Sequence, residues 1–378
     1  MIYLDYNSSW PLSHKALSVM SDAANLMPLN PSSTHWFGRG AKYKLEQARE
    51  SIVASLGAQK NYDLLFTSSG SEANNLVLKN FYQEQIFISA IEHLSIYNHS
   101  KYNPQLKVIK VTPDGYIDLQ HLQDLLQSSN GQKKLISIIF ANNETGVIQD
   151  LAPIIDLAKQ HEALVHSDFS QVVGKYNCDL DSSDLDFITI SSHKFGGPVG
   201  IAGLFYKKGL HLVPQVIGGG QEKGLRSGTQ NVLSATAMAS AMPDQDQLVS
   251  NIAHMEKLRN SLEDRLKSFY PALRIANASS KRLCNTSMII MPGVASQMQL
   301  ISFDLKDIAI SSGSACSSGK IGPSHVLEAC GYSRQDSACA IRVSLGASTT
   351  EQEIETFCQV WHEIFLNNLN MQSNRVSI

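Results

Sequence analysis

From about residue 60 to residue 210 the chain repeats one pattern: a short apolar run, then a longer polar stretch of helical character. The runs are YDLLFTS, QIFISA, LKVIKV, LISIIFA, ALVHS, LDFITIS and IAGLFYK. None alternates cleanly between apolar and polar residues, as a strand with one wet face would. They read as strands buried on both faces of a sheet, with helices packed over them. That restricts the fold to α/β, with a mostly parallel sheet of the seven-stranded kind flanked by helices.

A chain of 378 residues is too long for one compact core. After MPDQDQ (242–247) a long helical pattern starts, and strand–helix alternation then resumes. A large domain over residues 15–245 is expected. A smaller α/β domain over 246–378, joined by residues 1–14, completes the chain.

Bulk chemistry excludes several roles. The net charge of −3 supports neither nucleic acid nor a membrane surface as partner. The longest apolar runs are strand-sized, far short of a bilayer span. Six cysteines, at 178, 284, 316, 330, 339 and 358, show no CxxC spacing, so no metal site is expected. Free thiols and a start without a basic, then apolar, leader point to the cytoplasm.

In open α/β sheets ligands gather at the carboxyl ends of the strands, and polar groups follow these runs one after another. LLFTS leads into SGSEANN, a small-residue turn opening a helix, where Gly70 and Ser71 suit a phosphate. QIFISA delivers His93, LISIIFA delivers NNETG, and ALVHS delivers Asp168 and Gln171. LDFITIS delivers SHKFGGP, which sets Lys194 on a tight glycine turn. Each has an ordinary reading alone: a capped turn, a surface histidine, a helix-capping acid, a lysine reaching to water. Together they match the needs of pyridoxal 5'-phosphate. Its aldehyde takes an amine, its ring nitrogen a carboxylate, and its phosphate N–H and hydroxyl donors.

The ordered set YLDYNSS, NPSSTHWFGR, FTSSGSEANN, ANNETGVIQ, SDFSQVVGK, SSHKFGGPVGIAGL, GGGQEKGLRSGT, SSGSACSSG, PSHVLEACG and AIRVSLGASTTEQEI resembles the cysteine desulfurases. These belong to the class-V aminotransferase group of fold-type I pyridoxal-phosphate enzymes. The motifs run from residue 3 to about residue 354.

The resemblance implies a role for each residue. Lys194 would bind the cofactor aldehyde, Asp168 would pair with the ring nitrogen, and His93 would stack on the ring and assist proton transfer. Gln171 and Asn143 would face the ring hydroxyl, and Gly70, Ser71, Ser191 and His193 would hold the phosphate. Thr229 would reach the phosphate of a neighbouring subunit in a homodimer. Arg342 would clamp the carboxylate of L-cysteine, with Asn143 beside it.

Cys316 stands alone among serines and glycines in SSGSACSSGK, with nothing bulky to bury it. By the resemblance it is the sulfur acceptor. Its thiolate would take sulfur from L-cysteine, leave L-alanine, and pass the persulfide to an acceptor or iron–sulfur scaffold protein. A selenocysteine lyase, another class-V enzyme and a non-catalytic scaffold are the alternatives, and the Cys316 motif favours desulfuration. Several positions depart from the family pattern: serines in YNSSW, Ser71 for threonine, Lys320 and Gly322, and Phe169 where alanine is typical. Phe169 is expected beside the cofactor, altering its seating or narrowing the pocket.

Overall fold

The computed structural model describes residues 1–26, 28–129, 133–313 and 322–376. Cys316 and Lys320 lie outside the described residues. A first short strand, β1 (Ile2–Tyr3), precedes the large sheet. That sheet contains β2 (Tyr62–Thr67), β3 (Gln85–Ser89), β4 (Lys107–Ile109), β5 (Lys134–Ile139), β6 (Ala163–Asp168), β7 (Phe187–Ser191) and β8 (Ala202–Lys207). After it come β9 (Arg274–Ile275), β10 (Thr286–Ile290), β11 (Ile308–Ala309), β12 (Ser311–Ser312) and β13 (Ala340–Ser344).

The large sheet has the order β2-β8-β7-β6-β5-β3-β4. Only β8 runs against the rest, pairing antiparallel with β2 and β7. The connection 192–201 is shorter than the dozen or so residues that a parallel crossover needs, so β8 must turn back beside β7. Both faces are buried, and alternate residues serve different cores. Ile136 and Ile138 of β5 enter one cluster, while Leu135 enters the other. Ile188 and Ile190 of β7 likewise oppose Phe187. Each such side chain contributes roughly 1.5–3 kcal/mol by leaving water, and this double burial is why the runs lack alternation.

A second, antiparallel sheet has the order β12-β13-β10-β9. The long helices Gln245–Phe269 and Glu351–Val376 pack together over a core that includes Leu258, Leu262, Phe357 and Trp361. The N-terminus joins this part: β1 pairs with β11, and Asp5 bridges to Ser344. The chain then crosses to the large sheet, where the Trp10 N–H donates to the His193 carbonyl at 2.8 Å.

This topology positions the site. With six strands running one way, the residues after β2, β3, β5, β6 and β7 emerge along one edge. Thr67 and Ser191 both register with Ala202 at the start of β8. The carboxyl ends of β2 and β7 therefore stand close together although β8 separates the two strands.

Candidate active site

Ser68 and Ser69 follow β2 and lead into a helix, Gly70–Asn80, capped by Ser69, whose hydroxyl accepts the Glu72 N–H at 3.2 Å. Its N-terminal amides carry the helix's partial positive charge. A Cβ added at Gly70 would meet only Ser170 and Ser191 side-chain atoms, the closest at 3.4 Å. Glycine, two hydroxyls and a helix N-terminus thus form a cradle for an anion.

Asp168 ends β6 and is buried. One carboxylate oxygen accepts the Ser170 N–H and the other the Asn74 side-chain amide, each at 2.8 Å. Both bonds fix the direction of the carboxylate. His93 follows β3. Its Nδ1 accepts the Ser95 N–H at 3.2 Å and lies 2.8 Å from the Ser95 hydroxyl. An N–H can only donate, so Nδ1 carries no proton and the neutral ring holds it on Nε2. Burial lowers the His93 pKa, with Asp168 opposing and Lys194 reinforcing the shift.

Lys194 lies in a single 3-10 turn after β7. Its amine donates to the carbonyls of Asn7 at 2.8 Å and Ser8 at 2.7 Å. A side chain at Gly197 would collide with Ser192, and Gly196 has φ +91°, so the glycine pair is needed for this turn. Beside it, burial and the charge of Lys194 push His193 down to about 4. It is therefore neutral near pH 7.

Arg342 comes from β13 of the second sheet and is 2% exposed. Its guanidinium donates to Asp5 Oδ1 at 2.7 Å and to the Asn143 carbonyl at 2.9 Å. Among the described residues its Nε is buried without a partner, as is Asn74 Oδ1. These groups enclose a cavity of about 290 Å³. Among the described residues, every candidate from the sequence lines it except Thr229. Thr229 borders a separate hollow beside Ser68 and Arg226.

Phe169 corrects an expectation. It does not line the cavity but stacks on Phe140 in the core of the large sheet, with centroids 4.6 Å apart and planes at 24°. Asp168 faces the cavity, and backbone alternation sends its successor to the other side. At Gly322 an added Cβ would meet nothing within 4 Å.

Several cavity residues escaped the sequence reading: Asn7, Ser8, Asn74, Ser95 and Ser170. Asn74 carried a usable signal, since it lies one turn along the helix that Gly70 opens and so shares its face. Burial pushes the thiols of Cys178, Cys284, Cys330 and Cys358 up to about 12 and raises that of Cys339. Among the described residues no cluster could hold a metal ion, and no helix is long and apolar enough to cross a membrane. The donor set suits a ligand with an anionic end, a flat ring that pairs with a carboxylate, and a carbonyl for an amine.

Comparison with known proteins agrees with this chemistry. The class-V aminotransferase family model matches residues 2–357. Cysteine desulfurase 2 of Trichormus variabilis is 34% identical over 369 residues, covering 95% of this chain and 92% of its own. The X-ray structure of a NifS-like protein from Rickettsia africae superposes with a TM-score of 0.91 at 42% identity, over 97% of this chain and 99% of that one. A protein named SspA, solved in complex with cysteine, gives a TM-score of 0.78 at 26% identity, covering 93% and 100%. The chain belongs to the class-V aminotransferase family, among its cysteine desulfurases.

Proposed function

We propose that the chain binds pyridoxal 5'-phosphate in this cavity and takes sulfur from L-cysteine. One observation carries the reading: Lys194, Asp168, His93 and the Gly70 helix end surround one cavity, with Arg342 lining the same space. The bound cofactor would supply an aldehyde for an amine and an electron sink for the substrate carbon. Lys194 would hold the aldehyde, Asp168 the ring nitrogen, and Gly70, Ser71, Ser191 and His193 the phosphate. Gln171 and Asn143 would lie on the ring-hydroxyl side.

Arg342 would bind the substrate carboxylate, its planar fork already aimed by Asp5 and Asn143. Neutral His93, with its proton on Nε2, can exchange that proton with the substrate. The bonds balance without an external oxidant. The carbon–sulfur bond of L-cysteine breaks and a sulfur–sulfur bond forms at Cys316. A proton replaces sulfur on carbon, leaving L-alanine and an enzyme persulfide.

The persulfide would pass to an acceptor or iron–sulfur scaffold protein in the cytoplasm. Thr229, outside its own chain's cavity, supports a homodimer in which it serves the partner. Residues 15–245 and 246–378, the latter with 1–14, would form two domains, supported by the pairing of Ile2 with Ile308. The test is sulfide released from L-cysteine by cofactor-loaded protein with a reductant, beside Cys316→Ala. Sulfide from the parent and almost none from the variant is expected, and sulfide from neither removes the assignment.

A further inference from the structure

Beneath the cavity lies a lysine that the reaction does not use. Lys175 follows a turn that Gly174 makes at φ +81°, and its side chain is 1% exposed. Its amine donates to Gln171 Oε1 at 2.5 Å, its one hydrogen-bond acceptor among the described residues. Among the described residues no carboxylate bonds to it. The groups acting on it are Lys194 and Arg342, both cationic, and the Cys284 thiol, whose own burial disfavours its charged form. Burial above all, then these cations, drives its pKa well below the ordinary lysine range, towards the uncharged amine.

Gln171 is held from its other side too. Its Nε2 donates to the Asn7 carbonyl at 2.9 Å, the same carbonyl that accepts the Lys194 amine at 2.8 Å. A carbonyl cannot donate, so only one amide orientation satisfies both neighbours: oxygen to Lys175, nitrogen to Asn7. Nε2 has two hydrogens and Asn7 takes one. The second remains for the cavity that Gln171 lines.

We infer that Lys175 is a positioning residue, which locks Gln171 so that its amide offers an N–H, and not its carbonyl, to an oxygen of the bound cofactor. The inference rests on the cofactor reading above. A methionine would fill the same space without the cost of burying an amine, so volume alone does not account for a lysine here. Without Lys175 only the Asn7 carbonyl would hold the amide, and rotation about that weaker hold would turn its oxygen to the cavity, repelling an anionic oxygen.

The test compares wild type, Lys175→Met, Gln171→Ala and the double variant. Each apo-protein is titrated with pyridoxal 5'-phosphate, and the visible spectrum of the loaded protein is followed against pH. Losing a donor to the cofactor oxygen should move the spectral midpoint upward by roughly half a unit to one unit and weaken cofactor binding roughly three- to tenfold. Because Lys175 acts through Gln171, the double variant should match Gln171→Ala alone.

A Lys175→Met spectrum and affinity like wild type would overturn the inference, as would its full effect persisting on top of Gln171→Ala. If Lys175→Met and Lys175→Leu both fail to fold, the lysine is structural and the inference is wrong. A wild type that takes up no cofactor overturns the cofactor reading itself, an outcome the first titration separates from the rest.

Discussion

Replacing Phe169 by alanine would give this chain the residue its family typically carries, and the structure says the exchange should do harm. The Phe169 ring is 3% exposed, stacked on Phe140, and outside the lining of the cavity. Truncating a buried phenylalanine costs about 3–5 kcal/mol through lost transfer energy and the hole left behind. Unfolding entropy of about 2.1 cal/mol/K per residue, over 378 residues, amounts to about 0.8 kcal/mol/K. The melting temperature of Phe169→Ala should therefore fall by about 4–6 °C. Cofactor affinity and the visible spectrum should stay as in wild type, because no cavity atom is removed. Melting followed by circular dichroism, beside a spectroscopic cofactor titration, reads both quantities. An unchanged melting temperature with altered cofactor affinity would instead place the ring at the ligand.

Arg342→Lys should raise KM for L-cysteine roughly tenfold to a hundredfold, the worth of a buried charge-assisted bond, with the cofactor spectrum unchanged in steady-state and absorbance measurements. Asp168→Ala should weaken cofactor binding by a similar factor, read by titrating the apo-protein, since the carboxylate is aimed by Asn74 and Ser170. Burial raises the Glu144 pKa to about 7, while hydrogen bonding from Ser324 and the charge of Arg342 oppose the shift. A raised folded-state pKa gives stability that is full below the unfolded value of 4.5 and is lost as pH rises through about 7. Glu144→Gln lacks this loss, so its stability relative to wild type should improve by about 3 kcal/mol across that window in denaturant melts at pH 4.5 and pH 8.

Much of the large sheet was legible, because burial on both faces leaves continuous apolar runs, and all seven runs became strands of it. Asp168, His93 and Lys194 were legible for a related reason: they stand where parallel strands end. Strand order was not readable. Periodicity says that a segment is a strand but not which strand lies beside it, and the reversed β8 follows from the short connection 192–201. Asn7 was missed because it reaches the cavity from a segment tied to the second sheet. Ser95 and Ser170 act two residues after the groups they orient, through local bonds that no periodicity records. Phe169 was misplaced because the family pattern marks a departure without saying which way the side chain faces.

In the proposed reaction sulfur leaves L-cysteine by transfer to Cys316. The most direct measurement is a single turnover of cofactor-loaded protein with L-cysteine and no reductant, quantifying L-alanine and mapping the persulfide by peptide mass spectrometry. One L-alanine should form per persulfide, with the persulfide on the peptide containing Cys316, and neither product from Cys316→Ala. L-Alanine formed at an undiminished rate by Cys316→Ala, or a persulfide on another cysteine, would contradict this transfer.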